Sequence, residues 1–328
     1  MTQHPSALTS DLVELGGAGL QIVELDGPAA SGDVGVGVVR IGVHRRGPTP
    51  RFALGDFDIL LSTDRKAPRP WVAIEPARMD ACLEALGARI TEQPTAAAAL
   101  VQVLRMTLQV AFEEALVLES LAYSMLLASG GFKSWRAMTR PRVRDDEAPR
   151  VLLRQDDDGL HIQLGRPSVG NAFDAQMRDE LVEALHFALE HPDAPKVFLS
   201  AAGSSFSTGG DLDTFGSARD VGEAHMIRLL RSPVQGVYQL GDRITVRLHG
   251  ACIGAGIEVP AAAKHVVARP DARFRLPEVA MGLIPGAGGT ASISRRIGRH
   301  RTCYLAISGG FIDAKTALAW GLVDAVKS

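Results

Sequence analysis

From Val151 onward the sequence alternates between short apolar runs and helix-patterned segments: VLLRQ, LHIQLGR, a helix predicted over about 175–190, then KVFLSAAG, ITVRLHG and HVVARP. Few architectures satisfy that alternation, because each strand must bury its faces under neighbouring helices; it favours a layered α/β fold. Two of the strand segments run straight into turns of small residues. SSFSTGGDL (Ser204–Leu212) follows KVFLSAAG, and GACIGAG (Gly250–Gly256) follows ITVRLHG and opens a predicted helix. Such turns leave backbone N–H groups unobstructed, and at a helix N-terminus those groups are unpaired and sit at the positive end of the dipole.

The first half reads differently. Up to about residue 75, β-rich runs (GVGVVRIGV, FDILLS, WVAI) alternate with Gly- and Pro-containing turns. From about residue 76 to 140 the pattern is helical: ARMDACLEALGARI has one apolar face, and a long run from Pro94 is predicted to stop at Gly130–Gly131. That run is apolar round much of its circumference, which predicts burial against other helices or another subunit. TRPRVRDDEAPR then reads as a solvated linker, residues 141–150, before the core at 151–328. No internal repeat of solenoid type is visible.

A formal charge of −2 gives no general affinity for nucleic acid or an anionic membrane. Cys82, Cys252 and Cys303 share no metal-ligand spacing and read as small buried thiols in a reducing compartment. No basic, apolar leader opens the chain and no apolar run reaches the roughly 18–20 residues that span a bilayer, so a cytoplasmic protein is expected. The nine histidines are scattered and form no triad pattern.

The glycine stretches narrow the chemistry. Val259 stands where a dinucleotide fingerprint needs its third glycine after Gly254 and Gly256, and no G-x-x-x-x-G-K-[ST] occurs. An N–H donor turn can instead stabilise an oxyanion on a carbonyl, although tight helix–strand packing would use the same residues. Two such turns could converge on one oxygen. Glu258 ends the second, and Glu278 lies in RLPEVAMGLIPGAGGT; two carboxylates beside an activated carbonyl suit proton transfer or water activation.

These residues resemble the crotonase superfamily, the enoyl-CoA hydratase/isomerase family. GRPSVGNAF is similar to its RP-x-x-x-NA opening, FSTGGDL and GACIGAGIE to its two oxyanion turns, FRLPEVAMGLIPGAGGT to its most distinctive segment, and ISGGFIDAKTALAWGLVDAV to the approach to its last core strand. The resemblance implies an α/β fold with a (ββα)-type spiral core. It places oxyanion-hole N–H groups at Gly210 and Ala255, the acid/base pair at Glu258 and Glu278, and a water-holding N–H at Gly286. It also assigns Gly210, Asp211, Leu212 and Asp213 to the thioester and adenosine path.

The implied reaction is hydration of a 2-enoyl-CoA, with coenzyme A as part of the substrate and no metal or redox cofactor. Enoyl-CoA isomerisation, another acyl-CoA lyase or hydrolase reaction, and a non-catalytic acyl-CoA-binding subunit are the alternatives. The family's helical tail after GLVDAV has its counterpart upstream, in DACLEALGARITEQPTAAAALVQVLR and FEEALVLESLAYSMLLASGGFKSWRAM. The resemblance therefore implies a circular permutation, a trimerisation segment encoded before the core, and a homotrimer or dimer of trimers. Residues 1–75 then read either as a remnant of a duplicated core or as a regulatory or partner-binding extension. Lys264, where the family usually has aspartate, and SVGNA, which lacks a basic residue before its asparagine, depart from the pattern.

Overall fold

The computed structural model describes residues 19–27, 37–47, 49–50, 54–139 and 148–328. Strands β1 (Leu20–Glu24), β2 (Val39–His44), β3 (Ile59–Ser62) and β4 (Val72–Ala73) form a four-stranded sheet in that order, parallel throughout. Every residue of β2 and β3 is buried, because both faces of this sheet are covered. Helices α1 (Met79–Glu92) and α2 (Pro94–Met106) bury apolar faces in the main core, while Leu25, Phe57, Leu60 and Trp71 form a separate cluster. The β-rich pattern of this block left the parallel connectivity open.

Helices α3 (Phe112–Leu127) and α4 (Gly130–Met138) complete the first half. The expected single run from Pro94 to Gly130–Gly131 is broken at 107–111, where buried Thr107 donates its hydroxyl to the Thr290 carbonyl at 3.2 Å. Nor do the two glycines stop a helix; they open α4, whose first turn is capped by Ser129 Oγ accepting from the Phe132 N–H. Most of the expected linker lies outside the described residues. Its last residue, Arg150, is buried rather than solvated and pairs with Asp174 at 3.2 Å.

The second half is built on two sheets. β5 (Val151–Asp156), β6 (Gly159–Leu164), β7 (Val197–Ala201), β8 (Ile244–Leu248), β10 (His265–Ala268) and β13 (Ala325–Val326) form the larger, in the order β13-β10-β8-β7-β6-β5; only β5 pairs antiparallel. β9 (Ala251–Ile253), β11 (Arg273–Arg275) and β12 (Ile312–Asp313) form the smaller, in the order β12-β11-β9. β8 turns into β9, and β10 into β11, so these two large-sheet strands are each followed by one in the small sheet. An isolated bridge from Ser207 to Cys252 extends the small sheet to the chain leaving β7.

Helices follow these pairs: α5 (Ala175–Glu190), as expected from sequence, α6 (Val221–Leu230), α7 (Pro233–Leu240), the single turn α8 (Ala255–Glu258), α9 (Gly289–Ile297), α10 (Arg299–Ser308) and α11 (Ala314–Trp320). The two halves share one apolar core, and α10 clamps them. Arg299 and Arg105 both pair with buried Asp58, at 3.4 and 2.7 Å, His300 contacts the Leu54 carbonyl at 2.9 Å, and Arg301 donates to the Trp71 carbonyl at 3.1 Å. No single helix among the described residues is long and apolar enough to cross a membrane.

Candidate active site

Three neighbouring strand ends in the small sheet deliver the candidate residues. The chain through Ser207 continues to Gly209 and Gly210, β9 to Gly254 and Ala255, and β11 to Glu278. Backbone hydrogen bonds lock the three together: Ile253 N–H donates to the Ser207 carbonyl at 2.9 Å and Gly254 N–H to the Arg275 carbonyl at 2.9 Å. A side chain on Gly209 would meet the Ile253 carbonyl at 2.9 Å, so the first two turns touch backbone to backbone. Gly254 adopts φ +52°, where only glycine is comfortable, and a Cβ there would stand 2.5 Å from Glu278 Oε1 and 3.6 Å from Glu258 Oε1. The small-residue motif thus makes room for two carboxylates.

The motif RPSVGNA is structural. Asn171 is fully buried at φ +53°, accepts from the Arg166 N–H at 2.8 Å and donates to the Ala202 and Ser205 carbonyls at 2.8 and 2.9 Å. Those bonds hold the start of the first turn. Ser207, also buried, donates to the Asn171 carbonyl and accepts from the Gly209 N–H. Gly209 N–H, Asp211 N–H and Gly254 N–H are all engaged; those of Gly210 and Ala255 make no hydrogen bond among the described residues.

Gly210, Ala255, Glu258, Glu278 and Gly286 all line one cavity of about 750 Å³. Asp211, Leu212 and Asp213 are not among its lining residues. Asp211 is buried and its carboxylate pairs with Arg166 at 2.7 Å, while the carbonyls of Leu212 and Asp213 accept from Arg136 of α4. These three hold the loop in place from behind. Pro260, two residues beyond Glu258, opens a short 3-10 turn, where its missing N–H leaves nothing unpaired.

A third carboxylate was not apparent from the sequence. Glu119 of α3 is buried and accepts from Gly288 N–H at 2.6 Å, Thr290 N–H at 2.8 Å and Thr290 Oγ1–H at 2.6 Å. Glu258 Oε2 accepts from Ala287 N–H at 2.8 Å and Gly289 N–H at 3.0 Å. Four consecutive N–H groups leading into α9 are therefore shared alternately by two buried acids, which satisfies donors that a helix start leaves open. Beside Glu119 on the same helix, the Tyr123 ring lies against Gly286, where any added methyl would collide with it.

Burial dominates the electrostatics. It pushes Glu119 up to about 7 and Glu278 up to about 8, and together with the charge of Glu278 it pushes Glu258 well above the usual carboxylate range. The hydrogen bonds to Glu119 and Glu258, the charge of Arg228 on Glu119, and the backbone N–H and Arg275 charge acting on Glu278 pull the other way. Glu278 Oε2 is buried with no hydrogen-bond partner among the described residues. The arrangement can hold a carbonyl oxygen between two N–H groups and pass protons among acids kept partly neutral at pH 7. No cluster of three or more His, Cys, Asp or Glu among the described residues is arranged to hold a metal ion.

Comparison with known proteins places this geometry in a family. The family model described as enoyl-CoA hydratase/isomerase matches residues 158–328, just over half of the chain. A Rhodobacter capsulatus protein named "Probable enoyl-CoA hydratase" is 34% identical over 163 residues, 49% of this chain and 62% of that protein, so the chain spans under two thirds of that relative. A trans-2-decenoyl-[acyl-carrier-protein] isomerase of Streptococcus mutans is 29% identical over 177 residues, covering 53% of this chain and 67% of the isomerase. Among solved structures, an enoyl-CoA hydratase of Thermoplasma volcanium shares 30% identity with a TM-score of 0.50, over 55% of this chain and 73% of that one. The chain belongs to the enoyl-CoA hydratase/isomerase family, the crotonase superfamily.

Proposed function

We propose that the protein adds water to 2-enoyl-CoA thioesters to give 3-hydroxyacyl-CoA. The observation that carries this reading is the pair Glu258 and Glu278 flanking Gly254, one residue before the unengaged N–H of Ala255 and across from that of Gly210. In this reading the thioester oxygen accepts from both N–H groups, which lowers the energy of the enolate-like state; each donor of this kind is worth about 3–4 kcal/mol of barrier. In its ionised form, held at Oε2 by two N–H donors, Glu258 takes a proton from water as the oxygen bonds to the β-carbon. Glu278, with a bare oxygen and a pKa near 8, gives its proton to the α-carbon. A proton passed from Glu258 to Glu278 restores the starting state. Gly286 holds the water through its N–H.

Similarity to the Streptococcus mutans isomerase supports a second reading, a double-bond shift using one acid in both directions. Turnover of crotonyl-CoA in oxygen-18 water separates the two: hydration puts the label in the 3-hydroxyl, whereas a shift incorporates none. Unlabelled isomer as the sole product would overturn the hydratase reading.

We further infer that α1 to α4 take the place of the family's C-terminal helices, in permuted order. Leu116, Tyr123, Leu127 and Phe132 from α3 and α4 line the cavity, which supports this. The homotrimer expected for such a segment is also proposed; half-exposed Met106, Leu121 and Met125 border an apolar groove between α2 and α3 that a neighbouring subunit would cover. Light scattering on the purified protein tests it, and a monomer at micromolar concentration would overturn it.

A further inference from the structure

One wall of the cavity carries a cation that the reaction above does not use. Arg228 of α6 lays its guanidinium over the Tyr123 ring, 4.5 Å from the centroid. All its hydrogen bonds run through Nη1: to the Ser120 carbonyl at 3.3 Å, Ser120 Oγ at 2.8 Å and Ser124 Oγ at 3.1 Å. Nε and Nη2 make none, and no carboxylate lies within ion-pairing distance of Arg228 among the described residues. The cavity lining also includes apolar Leu116, Leu127, Ile227 and Val234 and basic Lys133, Arg136 and Arg231. Arg178 of α5 shares the lining and points the same sign of charge at it. Burial, and after it the charge of Arg178, act against the protonated form of Arg228, while Tyr123 and Glu119 favour it.

Two donors of this guanidinium have no partner among the described residues. We propose that the substrate supplies one: the acyl group carries a carboxylate at its far end, which Arg228 receives through Nε and Nη2. The proposal rests on the acyl-CoA reading and names its substrate class as the monothioester of an unsaturated dicarboxylic acid.

Position distinguishes this carboxylate from the phosphates of coenzyme A. Arg228 lies over the Tyr123 ring, and the same ring borders Gly286. The phosphates stand a whole pantetheine arm away from the thioester. The planar fork also suits a carboxylate, which can accept two parallel N–H bonds.

Calorimetric titration with glutaryl-CoA, butyryl-CoA and free coenzyme A tests the assignment. The wild type should bind glutaryl-CoA about tenfold or more tighter than butyryl-CoA, and Arg228→Met should abolish that preference while leaving butyryl-CoA affinity within about threefold. Arg228→Lys, which keeps the charge and the serine contacts, should retain a weaker preference of the same sign. Equal affinities in the wild type would overturn the proposal. So would loss of affinity in Arg228→Met shared equally by both thioesters and free coenzyme A, which would assign Arg228 to the phosphates or to holding α6. A glutaryl preference without hydration of glutaconyl-CoA would uphold the anion site and overturn the hydratase reading instead.

Discussion

Glu119 and Glu258, encoded 139 positions apart, interleave on one turn: Glu258 accepts from the N–H groups of residues 287 and 289, Glu119 from those of 288 and 290. The carboxylate proposed to activate water and the one holding its platform therefore come from opposite halves of the chain. Since Gly286 immediately precedes this turn, an error in the turn would move both the water and its base.

Replacing Glu119 tests that coupling. Glu119→Ala leaves the N–H groups of Gly288 and Thr290 buried without an acceptor, at about 1–3 kcal/mol each. Urea denaturation should show a loss of that size, and kcat should fall while KM changes little, because the platform holds the water rather than the thioester. Unchanged kcat in a folded Glu119→Ala protein would separate the turn from the chemistry.

At Gly286 the constraint is steric. Gly286→Ala drives a methyl into the Tyr123 ring, an overpacking expected to cost about 1–3 kcal/mol. Hydration should drop sharply, and Tyr123→Ala in the same chain should restore part of it by vacating the space. If the double variant is no better than Gly286→Ala alone, the ring is not what the glycine accommodates.

pH dependence follows from burial. Glu278 is raised from 4.5 to about 8, and Glu119 and Glu258 move in the same direction. Between those values the folded chain holds more protons than the unfolded one, so this contribution is fully present below about pH 4.5 and is lost as pH rises through 8. Thermal midpoints should decline from pH 5 to pH 8.5, and Glu278→Gln should flatten the decline. An identical slope in the variant would mean that Glu278 ionises normally in the fold.

The alternation after Val151, the helix at 175–190 and the two small-residue turns were legible because local pattern and tertiary packing agree there. Glu119 was not, because a lone glutamate in a helix says nothing of donors some 170 positions away. One signal was present: Glu119 falls on the stripe of Phe112, Ala115, Leu116, Tyr123 and Leu126, all buried, where a charge needs a partner. The break at 107–111 carried no Pro or Gly and comes from a tertiary bond of Thr107. Gly130–Gly131 suggested a stop, yet a close approach decides it: a Cβ on Gly131 would crowd Gln93 Oε1 at 2.5 Å and Gly282 Cα at 3.7 Å.

Crotonyl-CoA hydration, followed as loss of the conjugated-thioester absorbance in wild type, Glu258→Gln and Glu278→Gln, tests the central claim most directly. General acid–base groups contribute about 10²–10⁴-fold, so each variant should lose at least about a hundredfold in kcat while still binding butyryl-CoA. A wild type that binds crotonyl-CoA without hydrating it, or a Glu278→Gln enzyme as fast as the wild type, would contradict the account.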